Sequence, residues 1–127
     1  MTALGDVREA IKATVAAQGF PTFTTVPTTV TPPCVFVAPN EPYLTRQGAT
    51  FGGEIVRHQV VVVTGRGVNE VAATSLDDML LRVVDALYSN DEWLVGDVDR
   101  PGQITLNGQA YLATAIDVDQ EIHREAP

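Results

Sequence analysis

The sequence predicts an α+β fold: a single mixed, mainly antiparallel sheet with two amphipathic helices packed on one face, a two-layer sandwich. Three observations lead there. Apolar residues recur at helical spacing in two separate stretches, Leu4–Val15 and Leu76–Leu87. Most of the remaining apolar residues fall in short runs rich in Val, Ile and Thr. The elements come in the order α-β-β-loop-β-α-β-β-β within 127 residues, the length of one domain, 1–127.

The first helix rests on Leu4, Val7, Ile11 and Val15, spaced by three and four, with Asp6, Arg8, Glu9 and Lys12 largely off that stripe. Gly19 stops it, and Phe20-Pro21 confirms the exit. Thr22–Val26 reads as a short strand, and Pro27, Pro32 and Pro33 exclude a central strand in the connector that follows. Cys34–Ala38 is apolar on both faces and belongs inside the sheet. Pro39–Gly53 has two Pro, three Gly and no periodicity, so it reads as a long loop at 39–53. Tyr43, Leu44 and Phe51 are costly to leave in water there, which makes the loop an arm that packs on another chain rather than on its own core.

Ile55–Thr64, with Val60–Val63 at its centre, is the strongest strand. Leu76, Met79, Leu80, Val83, Val84 and Leu87 define a second helix of about 19 residues, ~28 Å long, with Asn69 as its cap and Glu70 near its positive end. Ser89-Asn90-Asp91 is a turn. Trp93–Asp99 and Gln103–Leu106 are short strands, Asn107-Gly108 is a hairpin signal, and Gln109–Val118 is the last strand. The sheet face away from the helices must be solvated or covered by a neighbour.

Charge excludes one class of function. Sixteen acids against eight bases give −8, which is unsuited to binding nucleic acid by phosphate neutralisation. The imbalance is local: residues 1–69 carry +1 and residues 70–127 carry −9. The mean hydropathy of +0.07 is slightly high for a monomer and suits a buried sheet or a subunit interface. The N-terminus shows no pattern of a signal peptide, and the apolar run Val60–Val63 is far too short to span a membrane.

Few residues suggest chemistry. Cys34 is the single cysteine, so neither an intramolecular disulfide nor a thiolate cluster is available. Cys34 with His58 or His123 has the composition of a nucleophile–base pair, but no elbow or oxyanion motif accompanies it. Asp117, Asp119 and Glu121 alternate on the terminal strand and therefore share one face. They lack the Gly-bearing acidic loop of a calcium site, and a solvated strand face has the same pattern. The glycines around Arg66 and at 48–53 match no phosphate-binding loop. These readings give no catalytic residue, no metal and no cofactor.

Several motifs in order carry a resemblance. Val7-Arg8-Glu9-Ala10-Ile11 opens the first helix. Thr31-Pro32-Pro33-Cys34-Val35-Phe36-Val37-Ala38-Pro39 precedes Pro42-Tyr43-Leu44, and Thr50-Phe51-Gly52 leads into the Val-rich strand. Leu76-Asp77-Asp78 begins the second helix, and Tyr111-Leu112-Ala113 comes near the end. Across nearly its whole length the chain resembles the tail terminator proteins of long-tailed bacteriophages, particularly those infecting actinobacteria.

The resemblance implies a structural virion protein, assembled in the host cytoplasm and placed at the tail–neck junction. Six copies form a ring on the last subunits of the major tail tube protein, end polymerisation, and present a surface to the head-completion or stopper protein. No membrane is involved, and DNA passes through the centre without specific binding. Pro32, Pro33, Tyr43, Leu44, Arg46 and Phe51 are expected at the subunit or tube interface. Asp117, Asp119 and Glu121 are expected to line a negative bore; six copies would carry a formal −48. The alternatives are another neck protein, a stopper or adaptor, or a small enzyme or ligand-binding domain built around Cys34, His58 and the acids.

Overall fold

Side chains alternate between the faces of a strand, so a sheet covered by helices on one side needs apolar residues at every second position. The long strands of this protein supply them. The structure is a computed structural model that describes residues 3–46, 53–66, 70–90 and 92–123. In chain order the elements are α1 (Ala3–Ala16), β1 (Thr22–Phe23), β2 (Cys34–Arg46), β3 (Gly53–Arg66), α2 (Glu70–Tyr88), β4 (Leu94–Val98), β5 (Gly102–Leu106) and β6 (Gln109–His123). The strands lie in the order β1-β2-β3-β6-β4, and β5 also pairs with β6. Only β1 and β2 run parallel; the other pairs are antiparallel. The α+β expectation of a mixed, mainly antiparallel sheet with two helices is met.

Register assigns the faces. Val35 opposes Val62, which opposes Thr114, and Val37 opposes Val60, which opposes Ile116. Val35, Val37, Val56, Val60, Val62, Leu112, Ile116, Val118 and Ile122 share one core with Val7, Ile11 and Val15 of α1 and Leu76, Met79, Val83 and Leu87 of α2. Both helices thus cover the same face. The periodicity that predicts the helices also predicts their buried stripes, and α2 has the expected 19 residues.

Local chemistry closes the ends. Gly19 adopts φ +94° where α1 stops, a conformation that carries no Cβ penalty in glycine. Asn107 and Gly108 have φ 52° and 79°, the two positive values of a type I′ hairpin turn. Arg82 of α2 donates to the Gln18 carbonyl at 2.9 Å, and its guanidinium lies 4.7 Å above the Phe20 ring, which ties α2 to the exit of α1. The Trp93 indole donates to the Leu87 carbonyl at 3.0 Å and so satisfies its one polar atom inside the core.

The long loop at 39–53 is corrected. Pro39–Arg46 continues β2 and Gly53 begins β3; only residues 47–52 of that segment, Phe51 included, lie outside the described residues. The ladder holds from Cys34 to Pro39, is interrupted, and resumes at Leu44 opposite Val56. In the interruption the four residues Asn40–Tyr43 face the single residue Arg57, a bulge that destroys the period of two. Among the described residues, no strand pairs with the outer side of β2 beyond Phe36. Prolines are tolerated on such an edge because no partner awaits their missing N–H. The last strand is also longer than expected and runs on to His123, whereas β1 is shorter.

Truncating a side chain at the centre of the core should be costly. Ile11→Ala, at a fully buried position, should lower stability by about 2–5 kcal/mol in urea unfolding. Leu81→Ala, on the outer side of α2, should change it by no more than about 0.5 kcal/mol.

Candidate functional site

The face away from the helices has two unlike halves. One half is apolar: Cys34, Phe36, Val63, Tyr111 and Ala113 form a second buried cluster, with Val30, Val61, Ile104 and Leu106 packed against it. The connector before β2 is held there by the Asn107 side-chain amide, which donates to the Thr28 carbonyl. Beside the cluster lies an open groove of about 390 Å³, floored by Phe36, Val61 and Ala113 and edged by Ile104, Gln59 and Arg100.

The other half is polar and holds the acids. Asp117, Asp119 and Glu121 project from this face at consecutive odd positions of β6. Asp117 lies opposite Gln59, Asp119 opposite Arg57 and Glu121 opposite Ile55. The Asn40 amide donates to Asp117 Oδ1 at 3.1 Å. Glycine at position 96 lets β4 come close, since a Cβ there would sit 3.4 Å from Asp117 Cβ. Asp117 and Asp119 are half-buried and Glu121 is exposed. Among the described residues, no three His, Cys, Asp or Glu side chains converge as a metal site would require.

Of the residues expected at an interface, the described ones fall into two groups. Pro32 and Pro33 precede β2, whereas Tyr43, Leu44 and Arg46 lie at its far end. Cys34 and Leu44 oppose Val63 and Val56, seven positions apart on β3, so roughly 23 Å at ~3.3 Å per residue separates the two groups. Tyr43 is not a free arm. It packs against the helix-side core, and its hydroxyl accepts a 2.9 Å hydrogen bond from Arg8 Nη1. This corrects the expectation of an arm committed to another chain: the bulge turns Tyr43 inward. Leu44 is 38% exposed and remains available, and the backbone of Arg46 pairs with Glu54. Phe51 lies outside the described residues.

Cys34 and His58 cannot act together. Cys34 opposes Val63 and lies in the outer-face cluster, while His58 opposes Pro39 and projects to the helix side. Burial pushes the Cys34 thiol up, away from the reactive thiolate. The backbone of His123 ends β6, opposite Gly53.

Sequence reasoning missed two features. One is a set of exposed apolar side chains: Val71, Leu81 and Tyr88 on α2, and Leu94 and Val98 on β4. Leu81 and Tyr88, a spacing of seven that falls off the buried stripe, were the available signal. The other is the surroundings of His58. Its ring is 1% exposed, meets the Tyr43 ring edge-on at 5.4 Å, and finds no hydrogen-bond partner for Nδ1 or Nε2. Desolvation, reinforced by the Arg8 charge, lowers its pKa to about 4.

No family model matches the chain, and no curated protein matches it either. Among the described residues, no helix is long and apolar enough to cross a membrane.

Two measurements test these environments. Iodoacetamide at pH 8 should alkylate Cys34 at least about a hundredfold more slowly in the folded protein than in urea, because the buried thiol is both inaccessible and protonated. The unfolded chain binds a proton on His58 near pH 6.5 and the folded chain near pH 4, so stability should fall as pH drops through that window. The loss attributable to His58 should total about 3 kcal/mol, at 1.36 kcal/mol per pKa unit. It is read as the difference in urea midpoints between the wild type and His58→Leu at pH 7, 5 and 4.

Proposed function

We propose that this protein is a structural component of a phage virion: a subunit of a ring that caps the tail tube, ends its polymerisation and joins the tail to the head. The observation that carries the reading is a set of large apolar side chains left in water on α2 and β4. Leu94 and Val71 are 70% and 76% exposed, Leu81 and Tyr88 are more than 60% exposed, and the sheet is open at both edges. Association of copies would bury these side chains. The ordered motifs from Val7-Arg8-Glu9 to Tyr111-Leu112-Ala113, which resemble tail terminators, point the same way.

Charge supports the same reading. The acids of residues 70–127 include the strip Asp117, Asp119 and Glu121 on one side of the sheet. In a ring with this face inward, negative charge would repel phosphate within about a Debye length, ~8 Å at physiological salt, and let DNA slide. Arg57, across from Asp119, moderates the field but leaves it negative.

Light scattering with and without the tail-tube protein tests the reading directly. A hexamer, or a monomer that assembles on the tube, is the expected result; a monomer indifferent to the tube removes it. Binding to a portal-side protein instead would assign the chain to the stopper or adaptor class. Replacing Asp117, Asp119 and Glu121 together with Lys should slow DNA packaging or ejection while rings still form. Unchanged infectivity would place the acids on the outer rim.

A further inference from the structure

The buried polar atoms without partners are not scattered through the molecule. Among the described residues they are Thr45 Oγ1, Arg57 Nε, both ring nitrogens of His58, and Gln120 Oε1. In the ladder, Thr45 opposes Ile55, Gln120 opposes Val56, Arg57 opposes Asp119 and His58 opposes Val118. All five atoms therefore fall within a few adjacent rungs at one end of the sheet. That end is where β2 bulges, with Asn40–Tyr43 facing Arg57 alone. Buried polar atoms without partners weaken the packing that holds them, and here they gather at one end of the sheet, on both of its faces.

We propose that this end of the sheet is an acid-operated latch, in which protonation of His58 releases the bulged segment Asn40–Leu44 from α1 and from β3 while the rest of the fold stays closed. The geometry decides which part moves. His58 lies under the edge of the Tyr43 ring, and Arg8 of α1 reaches over to bond the Tyr43 hydroxyl. An imidazolium in this place gains a second N–H with no acceptor and sits beside the like charge of Arg8. It must reach water, and four elements surround it. β3 and β6 are laddered to each other throughout this region. α1 is anchored by the buried Val7, Ile11 and Val15. The segment of β2 is an edge paired on one side only, and that pairing is already broken by the bulge. It is the part that yields.

Among the described residues, no acid is hydrogen-bonded to His58. From α1 the charged group beside His58 is Arg8; β2 brings Tyr43 against it and carries Glu41 in the bulge, exposed to water. On β3 the nearest positions of the same face are Val56 and Val60, with Glu54 one position beyond Val56 and engaged in an interaction of its own. β6 presents Ile116, Val118 and Gln120, and α2 turns Leu76, Met79 and Val83 to this layer. Asp117 and Asp119 project from the opposite face; Asp117 holds the segment there through Asn40.

The test is hydrogen exchange of the whole chain followed by mass spectrometry at pH 7 and pH 5, corrected for intrinsic rates. Protection of the 43–46 and 56–58 amides should drop about 20-fold, the factor that proton linkage gives between pH 7 and pH 5 for a site titrating near 6.5 when open and about 4 when closed. Protection at 60–63 and 112–116 should hold. His58→Leu, which fills the apolar layer, should abolish the drop. Tyr43→Phe, which removes the bond from Arg8, should lower protection at both pH values and keep the ratio of about 20-fold. Three results overturn the latch: no change between the two pH values, an equal change in His58→Leu (which transfers the effect to Asp117 or another acid), or a loss of protection shared by the whole sheet. The latch stands on the chain's own geometry and does not depend on ring formation.

Discussion

The ladder between β3 and β6 runs from the Gly53–His123 pair to the Arg66–Tyr111 pair, and each strand is also paired on its other side. β3 has β2 beyond it; β6 has β5 along residues 109–113 and β4 along residues 116–119. From the Gly53–His123 pair to the Thr64–Leu112 pair the register is unbroken, and it sets the side of every residue in that stretch, because a slip of one position would exchange the faces. Val60 and Ile116 then meet the helices, while Arg57, Asp117 and Asp119 meet whatever lies on the other side. The helices are placed by what the ladder presents to them. α1 and α2 touch each other as well, and Arg82 joins α2 to the end of α1.

The ladder also explains why two candidate chemistries do not assemble. Cys34 and His58 are apart because Cys34 opposes Val63, and Val63 lies five positions, an odd step, from His58 on β3. The three acids do lie together, since period two holds without interruption from Asp117 to Glu121. They form a strip rather than a cage, with Gln59, Arg57 and Ile55 opposite them in place of further oxygen ligands.

What was legible in the sequence was legible through periodicity. Val60–Val63 marked the centre of β3, the stripes of Leu4–Val15 and Leu76–Leu87 marked the helices, and Asn107-Gly108 marked the final hairpin. The second half of β2 was hidden because its bulge has no period and its prolines are usually read as breakers. The end of β6 was partly legible: the alternation of Asp117, Asp119 and Glu121 was a strand signal, but the apolar run that marked the strand stopped at Val118. Of the site, the shared face of Asp117, Asp119 and Glu121 followed from spacing alone. The Arg8–Tyr43–His58 arrangement did not. Its members are 35 and 15 residues apart, and only the inward turn of the bulge brings Tyr43 between the other two.

The outer edge of β2 has a consequence for the behaviour of the chain in a crowded solution. An exposed strand of thirteen residues would ordinarily offer a continuous row of N–H and C=O groups on which a foreign strand could grow. Here β1 covers the start of the row, Pro39 and Pro42 delete two donors from it, and the bulge between Pro39 and Leu44 breaks its spacing. Whatever meets this edge meets side chains and interrupted polar groups, which cannot seed cross-β growth. The residues that disguised the segment as a loop are the ones that keep a long sheet edge from becoming a template for aggregation.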